Sequence, residues 1–171
     1  GDGAAAVILM RSDLLQNQFP KIIVAGSASA TDPIAIHNRK SPLRLTAAEI
    51  SSRKAYQQAG IVPEDIGVFE YHDAFTIMAA LSLEAAGFCE PGKGPLLAKE
   101  GEITVNGRIP VATFGGLKAR GHPVGATGMY QIVEVVEQLR GTAGKTQVAR
   151  NDFGMSQNIG GSGSNIVTHI L

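Results

Sequence analysis

GGLKARGHPVGATG, residues 115–128, sets His122 among glycines at what reads as the start of a helix. Pro123 suits a first helical position, since its ring pre-sets φ and no donor is needed there. The glycines allow a bound group to approach the backbone closely. First-turn N–H groups and the helix dipole favour negative charge near the imidazole and disfavour a protonated ring. A histidine so placed can take a proton from a nucleophile or donate one to an oxyanion. Taken alone, GHP fits a packed histidine at a glycine-rich helix entry equally well.

A second histidine sharpens the reading. Residues 61–73, IVPEDIGVFEYHD, predict a turn and a short buried strand at 66–69, with His72 and Asp73 after its carboxyl end. Asp73 is the expected N-cap of the next helix, 74–86. In open α/β sheets ligand chemistry gathers at the carboxyl ends of strands. Residues 157–163, QNIGGSG, place Gly160, Gly161 and Gly163 between two strand-like runs, 146–153 and 164–171. Such glycines form turns, and they can also expose consecutive N–H groups to an anion.

YHDAF (71–75), GGLKARGHPVGATG and QNIGGSG, with the opening DGAAAVILM, together resemble the C-terminal half of a thiolase-superfamily enzyme. HDAF in place of NEAF resembles the sterol-carrier-protein type and its archaeal and bacterial relatives. The resemblance covers essentially all of residues 1–171. It implies one thiolase C-terminal-like domain, an α/β layered half with a mixed five-stranded sheet and helices on both faces. It also implies a CoA thioester as substrate and no bound cofactor or metal. His122 would activate the nucleophile and help bind the thioester oxygen, and His72 would supply a second donor there. N–H groups near Gly160 would contribute to another oxyanion hole, Ala74 and Phe75 would line the pantetheine end of the channel, and Gly161 would help bind the substrate.

Two departures from the family pattern bear on mechanism. The family's nucleophilic cysteine belongs to an N-terminal half that these residues do not include. Its acid/base cysteine comes from a C-terminal CxG or from an HDCF motif, and those places hold Asn158 and Ala74. Asn158 does not titrate near neutrality and cannot act as a base. Cys89 lies beyond a helix C-terminus, the wrong pole to stabilise a thiolate, and reads as a small packing residue. The resemblance still implies part of a CoA-dependent acyltransferase that makes or cleaves a carbon–carbon bond next to a CoA thioester. A retro-aldolase or a non-catalytic CoA-ester or lipid-binding subunit is the alternative.

Composition narrows the classes. The 171 residues carry 15 Lys+Arg and 15 Asp+Glu, are 44% hydrophobic and contain no Trp. No basic run or aromatic platform suggests nucleic acid, and no apolar stretch is long enough to span a membrane. A single cysteine excludes an internal disulfide. No signal-peptide pattern opens the chain, which fits a cytoplasmic location. The abrupt start at Gly1 predicts a piece of a longer or processed chain.

The remaining elements follow from periodicity and turn residues. Strands are expected at 4–10 and 21–27, separated by a short polar segment. A loop follows to residue 44. Next comes helix 46–60, capped by Thr46 with Glu49 as capping-box partner and stopped by Gly60. ITVNGRIPV (103–111) predicts a hairpin about Asn106-Gly107, and helix 123–140 turns Ile132, Val133, Val135, Val136 and Leu139 inward. Helix 74–86 has Glu84 as its only charge. A helix apolar all round predicts cover on every side, either from its own loops or from a second layer. In thiolases that layer is the other half, so acyl-CoA, an N-terminal half and a homo-oligomer are the expected partners. His37, His169, Lys118 and Arg120 read as loop or edge residues, although Lys118 and Arg120 could also meet CoA phosphates.

Overall fold

The computed structural model describes residues 1–15 and 20–171. The polar segment expected between the first two strands therefore lies partly outside the described residues. β1 (Gly26–Thr31), β2 (Val68–Tyr71), β3 (Gly154–Gly160) and β4 (Asn165–Ile170) form one mixed sheet in the order β1-β4-β3-β2. β4 runs antiparallel to both β1 and β3, while β2 joins β3 in parallel.

The expected five-stranded sheet has four strands, since residues 4–10 form none, and Val111 adds only one parallel bridge to Phe69. Phe69 N–H donates to the Pro110 carbonyl and Ala112 N–H to the Phe69 carbonyl. Pairing stops there because Pro110 has no N–H to extend it and Ala112 turns to a positive φ of 46°. No regular hairpin forms at 103–111. Asn106-Gly107 falls at the end of a turn closed by Gly107 N–H on the Thr104 carbonyl, not at its centre.

Helices cover both faces of the sheet. α1 (Thr46–Ala59) and α2 (Thr76–Ala85) pack on the face shown by Phe69, Met155 and Ile170, whose core also includes Tyr56, Ile66 and Leu83. α5 (Thr127–Leu139) lies on the other face, where a Cβ on Gly154 would stand 2.5 Å from Val135 Cγ1. Only glycine allows that approach. Two short helices, α3 (Gly94–Lys99) and α4 (Gly116–Ala119), complete the set.

α1 ends at Gly60 in the left-handed region, as expected. Its capping box does not form: Leu45 holds the N-cap position, and Glu49 instead accepts two bonds from Arg44 at 2.6 and 2.7 Å. A bidentate guanidinium is the stronger partner for that carboxylate.

Several other boundaries are corrected. Residues 4–10 form no strand, and Ile8 is 91% exposed. The second strand begins at Gly26, not at 21, because its ladder to β4 runs from Gly26–Ile170 to Thr31–Asn165. The strand expected at 146–153 lies instead at 154–160, within the glycine-containing stretch, where β2 and β4 flank it on both sides. His169 consequently sits in an interior strand between Ser27 and Ser156 and not at an edge. Of the two covers expected for α2, the chain's own loops do not supply one on every side, since Phe75 before it and Ile77 within it are 69% and 53% exposed.

Candidate functional site

β2 ends at Tyr71, and His72 follows at once. Asp73 does not cap α2, whose N-cap is Phe75. Its Oδ1 accepts the Leu117 N–H at 2.7 Å, at the start of α4. A Cβ on Gly116 would stand 2.6 Å from Asp73 Oδ2, so that backbone must be glycine for the carboxyl group to reach it. This latch joins the His72 junction to the segment that carries His122.

The two histidine rings meet edge-on, with centroids 5.0 Å apart and planes at 90°. Burial, and secondarily the neighbouring His122, lowers the His72 imidazole to about 4, against a smaller opposing pull from Asp73. His72 is therefore uncharged at neutral pH. Its Nδ1 is buried with no hydrogen-bond partner. A buried polar atom without a partner is uncommon enough to need a reason, and a bound ligand is one.

His122 is held from α5, which starts at Thr127 and not at Pro123. Pro123 opens the preceding turn, its carbonyl accepting from Ala126 and Thr127 N–H. His122 Nδ1 lies 2.6 Å from Thr127 Oγ1, and that hydroxyl is 3.3 Å from the Pro123 carbonyl. If Thr127 donates to Pro123, the proton sits on His122 Nδ1 and Nε2 offers a lone pair, as a base requires. If Thr127 donates to Nδ1, Nε2 carries the proton, as an oxyanion donor requires. One hydroxyl rotor thus permits either role.

The other candidates lie at different distances from this pair. Asn158 Nδ2 donates to Gln131 Oε1 at 3.2 Å and packs on Gly128, in the first turns of α5. Gly160 ends β3, and Gly161 begins the exposed turn to β4. Arg39 fastens that turn, its guanidinium donating to the Ser162 carbonyl at 2.9 Å and to Ser162 Oγ at 3.2 Å. Ala74 is half-buried and Phe75 exposed beside His72.

Burial and Glu84 push the Cys89 thiol up, so it has no thiolate character. Among the described residues no group of three or more His, Cys, Asp or Glu side chains could hold a metal ion.

Sequence reasoning missed the inward side of α5. Thr127, Gln131, Glu134 and Gln138 are all buried there, whereas of the expected inner residues only Val135 is. Their 4-3-4 spacing is helical, and a polar stripe of that period was the available signal. Arg120 was misread too. Its side chain is 14% exposed and paired with Glu134 at 2.5 Å, so it is not a free phosphate contact, while Lys118 is exposed.

Comparison with known proteins identifies the family. The family model for the thiolase C-terminal domain-like family matches residues 28–171. Acetyl-CoA acetyltransferase of Methanothermobacter thermautotrophicus is 45% identical over 171 residues, which cover 99% of this chain and 45% of that protein. Sterol carrier protein 2 of Rattus norvegicus is 35% identical, with 98% of this chain and 32% of that protein covered. Among solved structures, the Ltp2-ChsH2(DUF35) aldolase superposes with a TM-score of 0.78 at 25% identity, covering 86% of this chain and 38% of that one. The chain thus spans less than half the length of the relatives it matches. With the mixed sheet, the two histidine junctions and the glycine turn in the expected order, the chain belongs to the thiolase C-terminal domain-like family.

Proposed function

We propose that this chain is the C-terminal part of a CoA-dependent thiolase-like acyltransferase that makes or cleaves a carbon–carbon bond next to a CoA thioester. The observation that carries the reading is the edge-on meeting of His72 and His122. His72 stays uncharged and has an unsatisfied ring nitrogen. In this reading His122 takes the proton of a cysteine thiol supplied by the N-terminal half. His72 and then His122 donate to the thioester oxygen as it gains charge. Asn158, Gly160 and Gly161 shape the opposite side of the reacting carbon, and Ala74 and Phe75 line the acyl-CoA approach. The identity with the archaeal acetyl-CoA acetyltransferase supports this reading. The partners are acyl-CoA and a thiolase half or subunit, in a cytoplasmic homo-oligomer that binds no further cofactor.

A second reading is a thiolase-fold retro-aldolase. It is favoured by the Ltp2-ChsH2(DUF35) aldolase neighbour and by the missing thiols at Ala74 and Asn158. Cleavage of a β-hydroxyacyl-CoA needs donors for a thioester enolate but no acyl-enzyme. A non-catalytic CoA-ester or lipid-binding subunit remains the third, in line with the sterol carrier protein 2 relatives.

The test is to assay the chain, alone and with its complementary half, for acetoacetyl-CoA thiolysis and for β-hydroxyacyl-CoA cleavage. The chain alone should stay at background. Thiolysis by the assembly supports the first reading, and cleavage without thiolysis replaces it with the second. CoA-ester binding without turnover leaves the third. Turnover by the chain alone, abolished in Cys89→Ala, would overturn the assignment of Cys89.

A further inference from the structure

Beneath the two histidines lies a buried cluster of charged groups that the proposed chemistry does not use. Glu70 on β2 is 1% exposed and Glu134 on α5 is 4% exposed. Glu70 Oε1 accepts from Thr113 N–H at 2.9 Å and Thr113 Oγ1 at 3.1 Å. Gln138 Nε2 in turn donates to that Thr113 hydroxyl at 2.9 Å. The charge of Glu134 is close enough to disfavour ionisation of Glu70.

Arg120 completes the set. Its Nε is 2.5 Å from Glu134 Oε1, and its Nη1 donates to the Gly121 carbonyl at 3.1 Å. Its guanidinium carbon lies 4.8 Å from the centroid of the Tyr130 ring. With one proton kept between Glu70 and Glu134, the cluster has no net charge. Glu134 Oε2 and Arg120 Nη2 are buried without a hydrogen-bond partner.

A buried ion pair is a poor source of stability, because neutral side chains of similar volume often do as well or better. What this one supplies is geometry. It touches the peptide just before His122, the helix that bonds His122 Nδ1, and the strand that ends at His72. We infer that Arg120 is a positioning residue: anchored by Glu134 and lying over the Tyr130 ring, it fixes the Gly121 carbonyl and so holds His122 against Thr127 and His72. The inference concerns the placement of the ring, and it rests on the proposed function only where it touches rate.

The test uses Arg120→Met/Glu134→Gln, which removes both charges together and leaves neither buried alone. Two readouts are taken: ¹⁵N shifts of the histidine rings in the labelled chain, and kcat and KM in the assembly with the complementary half. The double variant should fold with an unchanged or higher melting temperature. The tautomer balance of its His122 ring should differ from that of the wild type, and its kcat should fall by about 10²-fold with KM within about twofold, the scale of a roughly 1 Å misplacement. A changed balance with unchanged kcat would uphold the positioning role and instead overturn the catalytic role of His122. A folded variant whose His122 ring keeps the wild-type balance overturns the inference, whatever happens to its melting temperature.

Discussion

The two histidine junctions are built in opposite ways. His72 follows a strand buried along its whole length, and its ring owes its state to desolvation, with one nitrogen left without a partner. His122 sits in an irregular, glycine-flanked turn, and its ring is set by one short bond to Thr127 and by the side chain of Arg120 just before it. The first junction is fixed by backbone pairing and leaves one buried ring nitrogen without a partner. The second must be held by side chains and gains a choice of tautomer. Asp73 is the only residue of the first junction whose side chain bonds directly to the second junction's backbone among the described residues.

The contrast is most directly broken by removing each ring in turn. In the complete assembly, His122→Ala should lower kcat at least by the roughly 10²–10³-fold that follows loss of one oxyanion donor. His72→Ala should also act on kcat more than on KM, since its donor meets charge that grows in the transition state. Near-wild-type kcat in a folded His122→Ala protein would end the catalytic reading of GHP.

Next in size is the latch between the junctions. Asp73→Ala leaves the buried Leu117 N–H unpaired and should cost about 1–3 kcal/mol in chemical denaturation. If the two junctions held together without it, the cost would be near zero.

Removing the hydroxyl that distinguishes the second junction should cost less. Thr127→Val keeps the shape of the side chain but frees His122 Nδ1. The expected loss in kcat is about tenfold, corresponding to one hydrogen bond of about 1.4 kcal/mol, with the melting temperature barely changed. A large loss of stability with kcat intact would show that Thr127 serves packing and not the ring.

A separate scale applies to the pH dependence of stability. His72 binds its proton only near pH 4 in the folded state, against 6.5 for the free side chain. Between those values the unfolded state holds more protons, so stability falls as pH drops from about 6.5 to about 4. His72→Gln should flatten that limb in part, because burial lowers His169 as well and leaves its contribution in place.

Glu70 has the opposite sign. Burial, then the charge of Glu134, raises its carboxyl group to about 8 from 4.5, so the folded state holds the extra proton and stability falls as pH rises between those values. Glu70→Gln, which mimics the protonated form, should match the wild type at pH 5 and melt higher at pH 8. Equal melting curves at both values would show that Glu70 is not the proton carrier.

The fold was legible where one-dimensional patterns coincide with local physics. α1 follows its periodicity and stops at Gly60, and the antiparallel pair at the C-terminus is present. The patterns misled where the outcome depended on distant partners. The strand-like segments 4–10 and 164–171 look alike in sequence. Only the second lies between paired neighbours, and Ile166 and Ile170 are fully buried while Ile8 is exposed. A strand needs a ladder more than it needs propensity. In α5 the apolar residues were taken as the inner side because burial of polar groups is normally unfavourable. Here Arg120 pairs with Glu134, Gln138 bonds Thr113 and Asn158 bonds Gln131, and those partners arrive from other segments.

The sequence by itself determined the family, the α/β layering with helices on both faces, and the two histidines that the fold brings together. Those are carried by residue types at fixed spacings, and spacing survives folding unchanged. Only the tertiary structure decided that Asp73 latches α4 and leaves α2 uncapped, that Arg120 is buried in an ion pair, and that the polar stripe of α5 faces the site. Each depends on which group from a distant segment satisfies a buried donor or charge. That pairing is a property of three-dimensional proximity, to which local propensity is blind.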